Sequence, residues 1–166
     1  MNLDDIEDLA AGGFIGFKTV ADLRSDCGCL PKAKGVYLFI RPQPKAAPEF
    51  VNVGTGGHFK KRDPNVPVEL LQSNWVEDRL VVYIGKAGGG GTKATLHSRL
   101  RQYLRFGQGK EVGHWGGRFI WQLKDASSLI VCWKPLPDDE PEFVESSLIR
   151  QFSKAFGQRP FANLKD

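Results

Sequence analysis

The sequence predicts an α+β fold, a small mixed sheet with helices packed around it. Two strand-sized runs rich in β-branched and aromatic residues, at 35–40 and 80–85, are one ground for this. The other is a pair of segments with apolar residues at helical spacing, at 95–106 and 141–156. Length and composition agree: 166 residues, 41% hydrophobic and 25% charged, suit one globular domain over 1–166 whose core closes without disulfides.

Residues 1–30 read as an N-terminal helical extension, acidic through Asp4, Asp5, Glu7 and Asp8 and interrupted by Gly12 and Gly13. That sign is wrong for a signal or transit peptide. The longest apolar runs, Leu80–Ile84 and Leu129–Trp133, fall far below the roughly 20 residues of a membrane helix. A cytoplasmic protein with no membrane partner is expected. The segment Gly35-Val36-Tyr37-Leu38-Phe39-Ile40 is the first motif strand, with Val36, Leu38 and Ile40 on one face and Tyr37 and Phe39 on the other. Leu80–Gly85 is the second, and strict alternation puts Val81 and Tyr83 on a common face.

Between the two strands, residues 41–79 form a long insertion with Pro42, Pro44, Pro48, Pro64 and Pro67, a Gly-Thr-Gly-Gly turn at 54–57, and a short helix at Val68–Trp75. Such a segment suits a binding loop or a structural lid. Lys86 and the run Gly88–Gly91 follow the second strand and precede a helix that starts at Thr92 or Thr95 and ends at Phe106. The run lacks the Gly-Lys-Ser/Thr of a phosphate loop, so no nucleotide cofactor is expected. Phe119–Leu123 and Leu129–Trp133 are expected to pair as a hairpin across Lys124–Ser128. A final helix begins at Pro141, with acids at 138–140 suited to its cap, and runs to Phe156.

Charge is unevenly spread. Residues 86–118 carry Lys86, Lys93, Arg99, Arg101, Arg105, Lys110 and Arg118 against Glu111 alone, a net of +6 within a chain of net +4. Tyr103, Phe106 and Trp115 are interleaved with them. Cations and stacking planes together suit a phosphate backbone. Lys93, Arg101, Arg105, Lys110 and Arg118, with Lys60, Lys61 and Arg62 of the insertion, are therefore the candidate nucleic-acid-binding residues; a solvated cationic face would carry the same pattern. Cys27, Cys29 and Cys132 show no metal-ligand spacing with His58, His97 or His114 and read as ordinary thiols, and His58 and His114 read as surface residues of glycine-rich loops.

Two charged residues fall where a helical wheel places apolar ones. Arg99 lies at the edge of the stripe formed by Leu96, Leu100, Tyr103 and Leu104, one turn before Tyr103, whereas Arg101 and Arg105 point away. Glu145 lies within the arc of Val144, Leu148, Ile149, Phe152, Ala155 and Phe156. A carboxylate there needs a proton, a cationic partner such as Arg99, or a hard metal such as Mg2+.

Gly35-Val36-Tyr37 followed by Tyr83-Ile84-Gly85-Lys86-Ala87 resembles the paired signature of the GIY-YIG nucleases. Ser98-Arg99-Leu100-Arg101-Gln102-Tyr103-Leu104, Val144-Glu145-Ser146-Ser147-Leu148-Ile149 and Phe161-Ala162-Asn163-Leu164-Lys165-Asp166 are similar to the arginine helix, glutamate helix and closing asparagine segment of the N-terminal nuclease domain of the bacterial excinuclease. Matched stretches cover about a third of the chain. The resemblance implies a three-stranded antiparallel sheet flanked by helices, acting as a stand-alone, metal-dependent endonuclease on DNA, in repair or processing.

Carried over by position, Tyr37 and Tyr83 would line the site, one of them taking a proton from water. Lys86 would supply charge stabilisation, Arg99 would grip the scissile phosphate, and Tyr103 would fill a position that is His or Tyr in the family. Asn163 would brace the site, and Glu145 would hold one divalent cation, Mg2+ or Mn2+. Lys86, Arg99 and the metal are the cations expected to favour a phenolate. A catalytically silent nucleic-acid-binding module and an RNA nuclease are the alternatives that the same residues allow.

Overall fold

The computed structural model describes residues 1–164, so the last two residues of the closing asparagine segment, Lys165 and Asp166, lie outside the described residues. The order of elements is α1 (Ile6–Ala11), β1 (Ile15–Thr19), α2 (Val20–Ser25), β2 (Gly35–Ile40), α3 (Val68–Asn74), β3 (Val81–Ala87), α4 (Leu96–Phe106), β4 (Ile130–Pro135) and α5 (Pro141–Phe156). No helix among the described residues is long and apolar enough to cross a membrane.

The strands form an open antiparallel sheet in the order β1-β4-β2-β3. The sheet thus has four strands rather than the expected three, because the N-terminal extension is not wholly helical and supplies an edge strand. β1 is irregular, with a register break between Ile15 and Lys18 and a left-handed Phe17 at φ 47°. A second correction concerns the expected hairpin. Arg118–Gln122 is a 3-10 helix, so Phe119–Leu123 pairs with no neighbouring strand, and β4 lies between β2 and β1 instead. A short apolar run buried on all sides gives the same sequence signal in either conformation.

The sheet divides the core. Tyr37 and Phe39 face a cluster with Leu100, Tyr103 and Trp121, and Val36, Leu38 and Ile40 face a second cluster with Leu148, Ile149 and Phe152 of α5. β3 departs from alternation. Phe39 pairs with Tyr83 but Ile40 pairs with Val81, so Val82 is an extra residue, a bulge. Val81 and Tyr83 therefore lie on opposite faces, against expectation, and Val82 and Tyr83 share one.

α4 starts at a capping box in which the Thr95 hydroxyl accepts from the Ser98 amide at 3.1 Å and the Ser98 hydroxyl accepts from the Thr95 amide at 2.9 Å. α5 carries Pro141 in its first turn, and Glu140 occupies the expected cap position, but its side chain makes no cap hydrogen bond and pairs with Lys34 at 3.1 Å instead. Ala155, expected on the buried face of α5, is exposed.

The insertion is tied down rather than free. Gln122, buried to 1% exposure, donates to the carbonyls of Val51, Asn52 and Val66 and accepts from the Val66 amide at 2.9 Å. Backbone bonds from Val51 to Gln122, Thr55 to Trp121 and Gly57 to Phe106 complete the attachment. The insertion therefore packs against the 3-10 segment and the end of α4.

Candidate active site

Three elements and one loop converge at the edge strand β3. β3 presents Tyr83 and Lys86, α4 presents Arg99 from one side of the sheet, and α5 presents Glu145 from the other. The segment after α5 brings Asn163. Together with Arg62, Trp115, Gly116, Gly117 and Arg118 these residues line a cleft of about 730 Å³. A smaller neighbouring cleft shares Lys86 and Arg99 and is walled by Gly88–Gly90, Thr92 and Glu142.

Tyr37 and Tyr83 meet edge to face, their ring centroids 6.2 Å apart. Tyr37 lies directly across β2–β3 from Gly85, and only the missing side chain makes room for its ring. A methyl group at Gly85 would sit 2.5 Å from the Tyr37 ring carbon Cζ and 2.6 Å from its hydroxyl. Gly117 has a related role: it adopts φ +72°, and a methyl there would meet the Tyr103 hydroxyl at 2.5 Å and the Tyr83 ring at 2.7 Å.

Burial dominates the phenols. It pushes the Tyr37 pKa up to about 12, against the opposing pull of Arg99 and of hydrogen bonding from Tyr83 and Arg99, with Glu145 adding to the rise. Tyr83 is raised well above its ordinary value, first by burial and then by Tyr37 and Glu145. The expectation that nearby cations favour a phenolate is therefore corrected for the protein alone: desolvation outweighs Arg99, and both tyrosines are neutral donors near pH 7.

Glu145 is held in the half-buried zone that its helical position predicts, with 20% of its side chain exposed. Its carboxyl is pushed up to about 7, mainly by burial, with Lys86 and Arg99 lowering it and Glu142 raising it. The cationic partner is Lys86 at 3.8 Å, which Glu142 also engages at 3.4 Å, rather than a close pairing with Arg99. Arg99 is part-buried and hydrogen-bonds Gln102 at 3.2 Å.

Asn163 is buried, and its side chain both accepts from the Ile84 amide at 2.9 Å and donates to the Ile84 carbonyl at 2.8 Å. The adjacent Ala162 amide donates to Val82 O at 2.9 Å. Asn163 thus fixes β3 where Tyr83 and Lys86 project.

Tyr103 belongs to the layer behind the cleft. It is fully buried, its hydroxyl donates to the Gly117 carbonyl, and it packs against Phe39 and Tyr83 at 5.0 and 5.5 Å. His114, read from sequence as a surface residue, is instead fully buried and stacked on Tyr103 at 3.9 Å. Neither ring nitrogen has a hydrogen-bond partner. Burial first, and Arg99 second, push its pKa well below 6.5. No periodicity marks this histidine, because it sits in a loop. His58 is exposed beside Asp63 at 3.8 Å.

Of the candidate nucleic-acid-binding residues, Arg62 and Arg118 line the cleft. Lys60, Lys61, Lys93, Arg101, Arg105 and Lys110 are exposed and do not line it. Trp115 is a cleft residue visible in the sequence only as part of a basic, aromatic stretch; it is half-buried, unlike the buried Trp75, Trp121 and Trp133.

His114 makes a pH prediction. Because the folded state holds the neutral ring, its contribution to stability is present above pH 6.5 and is lost as pH falls below that value. Glu145, whose folded pKa is raised, acts in the opposite sense over part of the same range. The expected result is that His114→Phe, which keeps the stack on Tyr103, loses less stability than wild type between about pH 6.5 and 5, read as the difference in urea midpoint, where the Glu145 contribution cancels.

Comparison with protein-family models, with curated proteins and with solved structures finds no match to this chain, so its functional reading rests on the cleft and on the residues that line it.

Proposed function

We propose that this protein is a divalent-cation-dependent endonuclease of the GIY-YIG type that hydrolyses phosphodiester bonds in DNA. The observation that carries the reading is the convergence of Tyr83, Lys86, Arg99, Glu145 and Asn163, which lie far apart in sequence, on one cleft at the edge of the sheet. Four cations, Arg62, Lys86, Arg99 and Arg118, line that cleft with one carboxylate, Glu145, which suits a polyanionic substrate.

The residues fit one hard cation. Glu145 is half-buried, burial raises its pKa despite the opposing pull of Lys86 and Arg99, and Lys86 at 3.8 Å is its sole ion-pair partner among the described residues. A lone carboxylate suits Mg2+, which keeps most of its waters. A divalent cation held there would neutralise charge that develops on the phosphoryl oxygens.

Arg99, with its planar guanidinium, would hold the scissile phosphate in register. Lys86, at the end of β3 beside Glu145, would stabilise the negative charge on the leaving oxygen. The attacking water loses its proton as the bond to phosphorus forms and the bond to the leaving oxygen breaks. A tyrosine that accepts this proton must first be ionised, and the leaving oxygen takes its proton from solvent. Burial of Tyr37 and Tyr83 makes that ionisation uphill at neutral pH, and the negative charge of a bound phosphate opposes it further, so Arg99 and a bound divalent cation would have to favour it.

The neutral phenols are also the one observation that favours the second reading, a nucleic-acid-binding module without turnover. Nicking of supercoiled plasmid with and without Mg2+ separates the two. Mg2+-dependent nicking by wild type, lost in Arg99→Ala, is the expected result. Salt-sensitive binding without nicking by folded wild type, on duplex, branched and single-stranded DNA alike, supports the second reading.

A further inference from the structure

Arg62 and Arg118 lie over one indole. Their guanidinium carbons stand 4.5 and 4.7 Å from the Trp115 ring centroid, and neither makes an ion pair among the described residues. The two come from different parts of the chain, Arg62 from the insertion and Arg118 from the segment after α4. Arg118 Nε is buried with no hydrogen-bond partner, and burial, then Arg62, lowers the Arg118 pKa. Two like charges over one ring, each felt by the other and one with an orphaned donor, are unfavourable until an anion arrives.

The arrangement is built in. Gln122 and the backbone bonds around it dock the insertion against the segment that carries Arg118. Arg62 itself closes a two-residue turn, its amide donating to the Phe59 carbonyl at 3.0 Å. Lys60 and Lys61 in that turn are both left-handed, at φ 51° and 61°, where asparagine and glycine would be relaxed. Strain of this kind collects at functional loops.

Resting on the nuclease reading, we propose that Arg62 and Arg118, with the Trp115 ring between the loops that carry them, form a second phosphate subsite that grips the nucleic-acid strand at a phosphate other than the scissile one. The chemistry selects this ligand: planar guanidiniums match phosphate oxygens, the indole offers a stacking plane to a base, and the pair lines the same cleft as Arg99 and Lys86. The subsite would hold the strand on both sides of the reacting bond, and the insertion would contribute directly to substrate binding.

The test is fluorescence anisotropy of a short labelled single strand in EDTA, where no turnover occurs, across about 50 to 200 mM salt. Arg62→Gln and Arg118→Gln are each expected to weaken binding by roughly tenfold and to lower the salt slope by about 0.7, and the double variant by about twice that. Arg62 is exposed, so Arg62→Gln tests the idea even if Arg118→Gln is poorly folded by circular dichroism. Tryptophan quenching on binding, lost in Trp115→Phe, is the second expected signature, since the other three tryptophans are buried. Unchanged affinity and slope in Arg62→Gln, or quenching that persists in Trp115→Phe, overturns the subsite. Wild type that binds with this slope but never nicks overturns the nuclease reading alone; wild type that nicks while Arg62→Gln binds unchanged overturns the subsite alone.

Discussion

Glu145→Gln is expected to abolish Mg2+-dependent nicking, by on the order of 10³-fold, while making the protein more stable at pH 8. The two effects share one cause. Burial raises the Glu145 pKa from 4.5 to about 7, so the folded state favours the protonated form. Stability from this group is therefore full below pH 4.5 and falls as pH rises through 7, a loss of about 2 kcal/mol once partial solvent exposure is allowed for. The neutral amide avoids that loss, so thermal melts at pH 8 should place the variant above wild type, with the gap closing at pH 4.5. Added Mg2+ should raise the melting temperature of wild type and leave Glu145→Gln unmoved, by mass action on a site only the carboxylate provides.

If the protein is the nuclease proposed, the same carboxyl would set the acid limb of its activity. Rate should fall as pH drops through about 7, and because metal and proton compete for Glu145, higher Mg2+ should shift that limb to lower pH. A limb that stays fixed while Mg2+ is varied tenfold would separate the carboxylate from the metal. A Gln variant that melts below wild type at pH 8 would show that the charge is better compensated than its surroundings suggest.

Gly85→Ala is expected to cost about 3 kcal/mol and most of the activity, because the added methyl falls within 2.5 Å of the Tyr37 ring on the facing strand. Neither side can yield easily. β2 and β3 are held in register by their ladder, and Tyr37 is fully buried between Phe39 and Tyr83. The double-mutant cycle with Tyr37→Ala gives the sharper test. Removing the ring vacates the space the methyl needs, so the cost of Gly85→Ala should shrink by about 1 to 2 kcal/mol in that background. Additive urea midpoints would assign the penalty to the strand backbone instead.

These two residues illustrate what is legible in the sequence. Gly85 and Glu145 both break a local rule, a glycine inside a strand and a carboxylate on an apolar helical face: the first makes room for the buried Tyr37 ring, and the second lines the cleft. α4 and α5 follow from periodicity because long, one-sided burial leaves a clear pattern, and β2, buried on both faces, follows from its β-branched and aromatic run. β1 leaves none, since a five-residue strand with a register break and a left-handed Phe17 has no alternation to detect. The bulge at Val82 likewise breaks the rule that would locate Val81, and the apolar run Phe119–Leu123 reads alike as strand or 3-10 turn. His114 and Trp115 sit side by side in one loop, one buried and one accessible, and composition cannot separate them. Tertiary packing alone decides that difference.

The cleft lies along an edge strand, and such a strand ordinarily invites another chain to add to the sheet. β3 avoids this through the two residues that follow its outer rim: Ala162 N–H covers the Val82 carbonyl, and the Asn163 side chain satisfies both polar groups of Ile84, imitating the strand that a second molecule would supply. The brace of the site is thus also a guard against edge-to-edge association. Selection on catalysis and selection on solubility would then act on the same amide, and damage to it would surface as self-assembly as readily as lost activity.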